Sequence, residues 1–168
     1  MSPTQFGILF DLDDTLVLSH ELAELRRTRQ WKRCYSEFGR STLPTGTPAF
    51  LDAAKGLGRF GVVTTSHRTY AEKLLKFHNL AIDVLVAYHD VSPRKPDPAP
   101  IIAAAAKINV LPNRCVYIGD SDDDVTAAIR AGAQPIKVCW TGHNAVVVLS
   151  NWDDVLDQLR FLHQELSR

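Results

Sequence analysis

The 168-residue chain carries 19 basic and 19 acidic residues, a formal net charge of zero, with 45% apolar and 23% charged residues. That balance suits one folded domain spanning 1–168, and argues against both a disordered chain and a globally basic nucleic-acid binder. Cys34, Cys115 and Cys139 are too few and too widely spaced for a disulfide framework or a zinc site. No apolar run approaches the 18 or so residues of a membrane span, and the N-terminal segment lacks the basic-then-apolar pattern of a signal peptide. A reduced, soluble, cytoplasmic protein with no membrane partner is the expectation.

Residues 6–10 (FGILF) read as a first strand: short, apolar and unalternating, as a strand buried on both faces should be. Residues 19–40 read as one amphipathic helix or a helical pair. Leu22, Leu25, Trp31 and Tyr35 line its apolar side, and Arg26, Arg27, Arg29, Lys32 and Arg33 its basic side. Residues 41–48 (STLPTGTP) are a loop by composition. Further strands are expected at 60–64, 84–88, 115–118 and 136–139, with a sixth at 145–149. Helices are expected at 69–79, at 99–108 with Pro100 in the first turn, at 122–131 stopped by Gly132, and at 152–166 capped by Asn151. Strands alternating with helices predict an α/β fold with a mainly parallel sheet and ligands at the strands' carboxyl ends.

Four polar clusters stand at or after those predicted strand ends. Asp11, Asp13 and Asp14 precede Thr15, and so many carboxylates together call for a hard cation such as Mg²⁺ or else form an acidic turn. Thr64, Thr65 and Ser66 offer hydroxyls and free N–H groups for a phosphoryl oxygen, or a plain helix cap. Lys95 sits among prolines in RKPDP, as a compact charge able to neutralise phosphate or carboxylates, or in a solvated loop. Asp120 and Asp124, in GDSDDD, reach one site across a strand end and a first helical turn; Asp122 and Asp123 read as helix-dipole partners.

Taken in this order, the motifs resemble those of the haloacid dehalogenase superfamily, in particular its phosphoglycolate-phosphatase-like branch, over roughly residues 5–160. The resemblance implies a three-layer Rossmann-like fold with five or six strands, helices on both faces and a minimal helical cap insert at about 19–45. It implies a Mg²⁺-dependent phosphatase in which Asp11 is the nucleophile and passes through an aspartyl-phosphate. Asp13 would protonate the leaving oxygen and then activate water. Asp11, Asp120 and the Asp13 carbonyl would hold the metal. Thr64 and the Thr65 backbone would hold the phosphoryl group, Lys95 would balance charge, and Asp124 and Thr15 would support the arrangement.

Two departures bear on substrate. Thr65 stands where this branch usually carries Asn, and the stretch from Thr15 to Thr64 has room for only about one or two helices beyond loop and strand lead-in. An open site admits a small molecule or an exposed phosphate on a macromolecule; a nucleic acid lacks specific support. The chain would act as a monomer, or as a homodimer whose second subunit completes the cap. The basic side at 26–33 would either recruit an anionic substrate or be a solvated helix face. His67 and the 140–143 loop are open between a substrate contact and ordinary surface, and His20 reads as surface. The alternatives to a phosphatase are a phosphomutase, which shares Asp11 and Asp13, and a non-catalytic phosphate- or partner-binding module.

Overall fold

Gly7–Phe10 forms β1, and all four residues are buried. Their side chains divide between two cores: Ile8 and Phe10 join one, Leu9 the other. The period-two alternation of a strand thus fills both faces of a sheet with an unbroken apolar run. The computed structural model describes residues 6–140 and 149–166. In it β2 (Arg59–Val63), β3 (Val84–Val86), β4 (Cys115–Gly119) and β5 (Gln134–Lys137) complete a five-stranded sheet in the order β3-β2-β1-β4-β5. Every neighbouring pair is parallel. The strand order reverses between β1 and β4, where open parallel sheets leave a crevice at their carboxyl ends.

Each face carries helices. The first core collects Phe50 and Leu51 from α3 (Thr47–Ala54), Tyr70 and Leu74 from α4 (Arg68–Phe77), and Trp152, Val155 and Leu159 from α7 (Trp152–Leu166). The second collects Ile101 and Ala105 from α5 (Ala99–Lys107), and Ala127 and Ala128 from α6 (Asp122–Ala131). The small alanines of α5 and α6 allow those helices to lie close to the sheet. The fold is the expected three-layer α/β sandwich with a parallel sheet.

Two expectations need correction, and one alternative is resolved. Residues 19–40 form the helical pair rather than the single helix. Arg29, at φ 55°, breaks the run into α1 (Ala23–Arg27) and α2 (Trp31–Ser36), flanked by 3₁₀ turns at His20–Leu22 and Phe38–Arg40. The segment leaves and rejoins the body through a reciprocal backbone pair, Leu18 N to Thr42 O at 2.8 Å and Thr42 N to Leu18 O at 3.1 Å. The supposed loop 41–48 ends inside α3, whose start carries Pro48 in the first turn. Burial of Phe50 and Leu51, and a stack of Phe50 on Trp152 at 4.1 Å, stabilise this helix beyond what its first residues suggest. Finally, β5 begins at Gln134 rather than residue 136. Gly132 closes α6 at φ 80°, and an edge strand tolerates the polar Gln134 and the missing N–H of Pro135. The sixth expected strand falls largely on residues 145–148, outside the described residues; Leu149 makes an isolated bridge to Val138. None of the described helices is long and apolar enough to cross a membrane.

Candidate active site

All four sequence clusters reach the carboxyl edge of the sheet. Asp11 follows β1 directly and is almost buried at 8% exposure. Its N–H is fixed to the Ile118 carbonyl of β4 at 2.8 Å, so the nucleophile candidate is locked to the sheet's point of reversal. Lys95 Nζ donates to Asp11 Oδ1 at 2.7 Å, to Asp124 Oδ1 at 2.6 Å and to the Val63 carbonyl at 3.2 Å. The Tyr117 hydroxyl lies 2.9 Å from the same nitrogen and 3.0 Å from the Val63 carbonyl. One ammonium therefore ties β1, β2, β4 and the first turn of α6 together.

Asp124 reaches this ammonium because Gly119 has no side chain. A Cβ on Gly119 would stand 2.5 Å from the Asp124 Cβ. The Asp124 carboxylate is also part of a capping box: Oδ2 accepts from the Ser121 N–H at 3.1 Å, and Ser121 Oγ accepts from the Asp124 N–H at 3.2 Å. Asp120 stands beside it, and its Oδ1 accepts from Thr15 Oγ1 at 3.1 Å. Thr15 is itself held from behind, where the Trp140 indole donates to its carbonyl at 3.0 Å. Trp140 thus braces the first loop; residues 141–143 of its connection lie outside the described residues.

Asp11, Asp120 and Asp124 each place a carboxylate oxygen within 4.8 Å of the others. These hard oxygen donors suit a divalent cation such as Mg²⁺ far better than a soft metal. Electrostatics points the same way. Burial, only partly offset by Lys95 and reinforced by Asp124, pushes the Asp11 carboxyl up to about 7. Burial also raises Asp120, with Thr15 opposing and Asp124 adding to the rise. Two carboxyls held above their ordinary range would be relieved by a cation. Lys95 would be driven down by its burial, but the charges of Asp11, Tyr117 and Asp124 together hold it well above its usual value.

Asp13 makes its hydrogen bonds to a different set of side chains. Its Oδ1 accepts from Ser19 Oγ at 2.6 Å, from Tyr70 OH at 2.8 Å and from Arg26 Nη1; its Oδ2 accepts from Ser66 Oγ. Arg26 Nη1 also bonds Ser19 Oγ at 2.8 Å and Tyr70 OH at 2.7 Å. The reading of residues 26–33 as one basic face therefore fails at Arg26, which turns inward with 17% of its side chain exposed. Asp14, at φ 60°, accepts from the Ser19 and His20 N–H groups, both at 2.9 Å, and so shapes the turn into the insert. Thr64 is buried at the end of β2 and its hydroxyl accepts from the Ser66 N–H at 3.0 Å, while Thr65 is exposed.

Tyr117, Arg26, Ser19 and Tyr70 had no place in the expected site. Tyr117 was legible in principle: strand alternation puts it on the same face as Gly119, the face to which Asp124 returns. Arg26 and Tyr70 approach Asp13 from 13 and 57 residues away, and nothing local to either marks the contact.

A three-layer α/β fold with a carboxylate–lysine centre at its point of reversal defines a broad class of doubly wound proteins with a polar site at the sheet edge, and the sequence comparisons give the family. The model of the haloacid dehalogenase-like hydrolases matches residues 25–138. The chain belongs to that family. It is 34% identical over 98 residues to a phosphoglycolate phosphatase of Xylella fastidiosa, covering 56% of this chain and 43% of that one. It is 34% identical over 94 residues to the pyrophosphatase PpaX of Bacillus velezensis, covering 54% and 44% respectively. The chain spans about half the length of such curated relatives. A HAD phosphatase structure from Thermococcus onnurineus superposes with a TM-score of 0.77 at 18% identity, over 92% of this chain and 98% of that chain, which establishes the shared fold.

Proposed function

We propose that the chain is a Mg²⁺-dependent phosphomonoester hydrolase that works through an aspartyl-phosphate on Asp11. The observation that carries this reading is the buried Lys95 ammonium bridging Asp11 and Asp124 at 2.7 and 2.6 Å, beside the Thr64 end of β2. Phosphoryl transfer needs positioning and charge stabilisation above all. Lys95 offsets the repulsion between an anionic nucleophile and an anionic ester. Asp11 and Asp120, with the Asp13 carbonyl, would hold Mg²⁺, and Asp124 lies close enough to join them or to order the metal's water shell. The bound ion would supply further neutralisation of phosphate charge.

In the first step a carboxylate oxygen of Asp11 bonds to phosphorus as the ester P–O bond breaks, and the Asp13 proton passes to the leaving oxygen. In the second step water attacks phosphorus, its proton passes to the Asp13 carboxylate, and the bond to Asp11 breaks to release phosphate. Thr64 and the Thr65 N–H steady the equatorial oxygens. The Ser19, Ser66 and Tyr70 hydroxyls can each donate or accept beside the Asp13 carboxyl, whereas Arg26 can only donate and fixes the carboxyl's position. Thr15 keeps the Asp11 loop in register with Asp120.

Phosphate release from a generic aryl phosphate in the presence of Mg²⁺ tests the reading. Wild type should turn over, and Asp11→Asn should fall by at least about 10³-fold. Absence of turnover by wild type would refute it. Recovery of an isomeric phosphate in place of free phosphate would move the assignment to a phosphomutase.

A further inference from the structure

Between the insert and the ends of β2 and β3 lies an open pocket of about 730 Å³. Thr65 and Ser66 form its inner edge, so it adjoins the phosphoryl site and Asp13. Its volume is that of a site for a ligand of drug-like size. Four arginines line it, Arg26, Arg27 and Arg29 from the insert and Arg94 from the loop before Lys95, and among the described residues no carboxylate does. Two of the four are already matched: Arg26 by Asp13, and Arg27 by Glu24 at 2.6 and 2.8 Å. Arg29 and Arg94 have no carboxylate partner among the described residues; Arg94 bonds only the Tyr88 carbonyl, at 3.2 Å. Unmatched guanidiniums at a pocket wall suit a phosphate, to which they bond through a planar fork.

The remaining wall is aromatic. Trp31 meets His67 at 5.8 Å between ring centroids, His67 meets His89 at 5.7 Å, and His89 meets Tyr88 at 4.7 Å. The Arg94 guanidinium lies over the Tyr88 ring at 3.7 Å. The His67–His89 and His89–Tyr88 pairs meet edge to face, at 83° and 84°, so the run offers separate ring faces rather than one plane. A nucleobase can stack on one such face, at Trp31 or His67, while a guanidinium at the pocket wall holds a neighbouring phosphate.

We propose that this pocket takes the leaving group of the substrate and that the leaving group is a nucleotide. Its base would stack on a ring face at Trp31 or His67, and a second phosphate would engage Arg29 and Arg94. The proposal rests on the phosphatase reading for the position of the scissile phosphate. The same chemistry is offered by a free nucleoside bisphosphate and by the phosphorylated end of an oligonucleotide.

Calorimetric titration of the Asp11→Asn protein with Mg²⁺ separates this proposal from the catalytic one, because it needs no turnover. Adenosine 3′,5′-bisphosphate should bind at least tenfold tighter than adenosine monophosphate and at least tenfold tighter than fructose 1,6-bisphosphate. Adding Arg29→Ala or Arg94→Ala should reduce the bisphosphate to the affinity of the monophosphate. Adding His67→Ala should reduce it towards that of the sugar bisphosphate. Arg59→Ala, at the opposite end of the sheet, controls for net charge and should change nothing. Equal affinities across the three ligands, or indifference to both arginine substitutions, would overturn the nucleotide pocket while leaving aryl-phosphate hydrolysis untouched. Tight nucleotide binding by a protein that hydrolyses no ester would keep the pocket and remove the enzyme. A 5′-phosphorylated trinucleotide that binds tighter than the free bisphosphate would place the source in a nucleic-acid end; a weaker one would place it in the free nucleotide.

Discussion

Asp11 and Asp13 are two residues apart in the chain, yet they sit in differently built surroundings. Asp11 is held by strand ends: a backbone bond to Ile118, and Lys95, which is itself tied to Val63, Tyr117 and Asp124. Asp13 is held by hydroxyls and by one arginine, and two of its four partners, Ser19 and Arg26, belong to the insert. The first environment is buried, cross-linked through the sheet and charge-compensated. The second is half-buried and depends on helices of five and six residues that could not persist alone. On the proposed mechanism this contrast is a division of labour: the sheet would set the nucleophile and metal-holding groups, and the insert would set where the acid/base stands and what leaving group meets it.

Lys95→Met should produce the largest effect. It leaves the Asp11 and Asp124 carboxylates without their shared cation, with an expected loss of about 3–5 kcal/mol of stability. Phosphate release should fall by about 10³-fold or more in any protein that remains folded, measured by assay alongside chemical unfolding. A Lys95→Met protein with ordinary activity would remove the strand-end cluster from the chemistry.

Gly119→Ala tests the same cluster without touching a charge. The added methyl collides with the Asp124 side chain. A cost of about 1–3 kcal/mol is expected from overpacking, with weaker Mg²⁺ binding by calorimetry. Retention of full metal affinity would show that Asp124 can move aside without consequence.

On the insert side, Arg26→Ala should spare metal binding and lower turnover by about 10–100-fold, since it frees Asp13 from its fixed donor but leaves three hydroxyls. Arg26→Lys restores a charge but not the planar fork, and should recover activity only in part. If Arg26→Ala instead weakened Mg²⁺ binding as strongly as Gly119→Ala, the two regions would have to be treated as one unit.

A pH effect follows from Asp11. Without metal its carboxyl titrates at about 7 in the folded protein, against an ordinary value of 3.8. Between those values the folded state binds the extra proton, so stability should fall as pH rises through about 4 to 7 and stay low above it. Thermal unfolding in chelator at pH 5 and pH 8 should show this decline for wild type, less of it for Asp11→Asn, and its reversal by Mg²⁺. Smallest of all, Tyr117→Phe should cost about 1–2 kcal/mol by removing a buried hydroxyl that serves both Lys95 and Val63, with only a modest fall in turnover.

Much was legible in the chain itself. Short apolar runs, each followed by a polar cluster and then a helical pattern, are enough to imply buried parallel strands with their ligands at one edge. Period and punctuation are local properties, which is why Gly132 correctly marked the end of α6 and why Asp11, Thr64 and Asp120 were found at strand ends. What failed was equally physical. The helix at Thr47–Ala54 owes its stability to Phe50 packing on Trp152, more than a hundred residues away, and its first residues read as a turn. Arg26 looked like one more charge on a solvated face, because helical spacing records which residues share a face but not that a distant carboxylate, serine and tyrosine converge there. The residue types and their order along the chain determined the candidates for nucleophile and metal-holding groups. Only tertiary structure decided that Asp11 and Asp13 bond different clusters, that Tyr117 joins Lys95, and that the insert's arginines line one pocket with His67, Tyr88 and His89, since these groupings join segments that share no sequence neighbourhood.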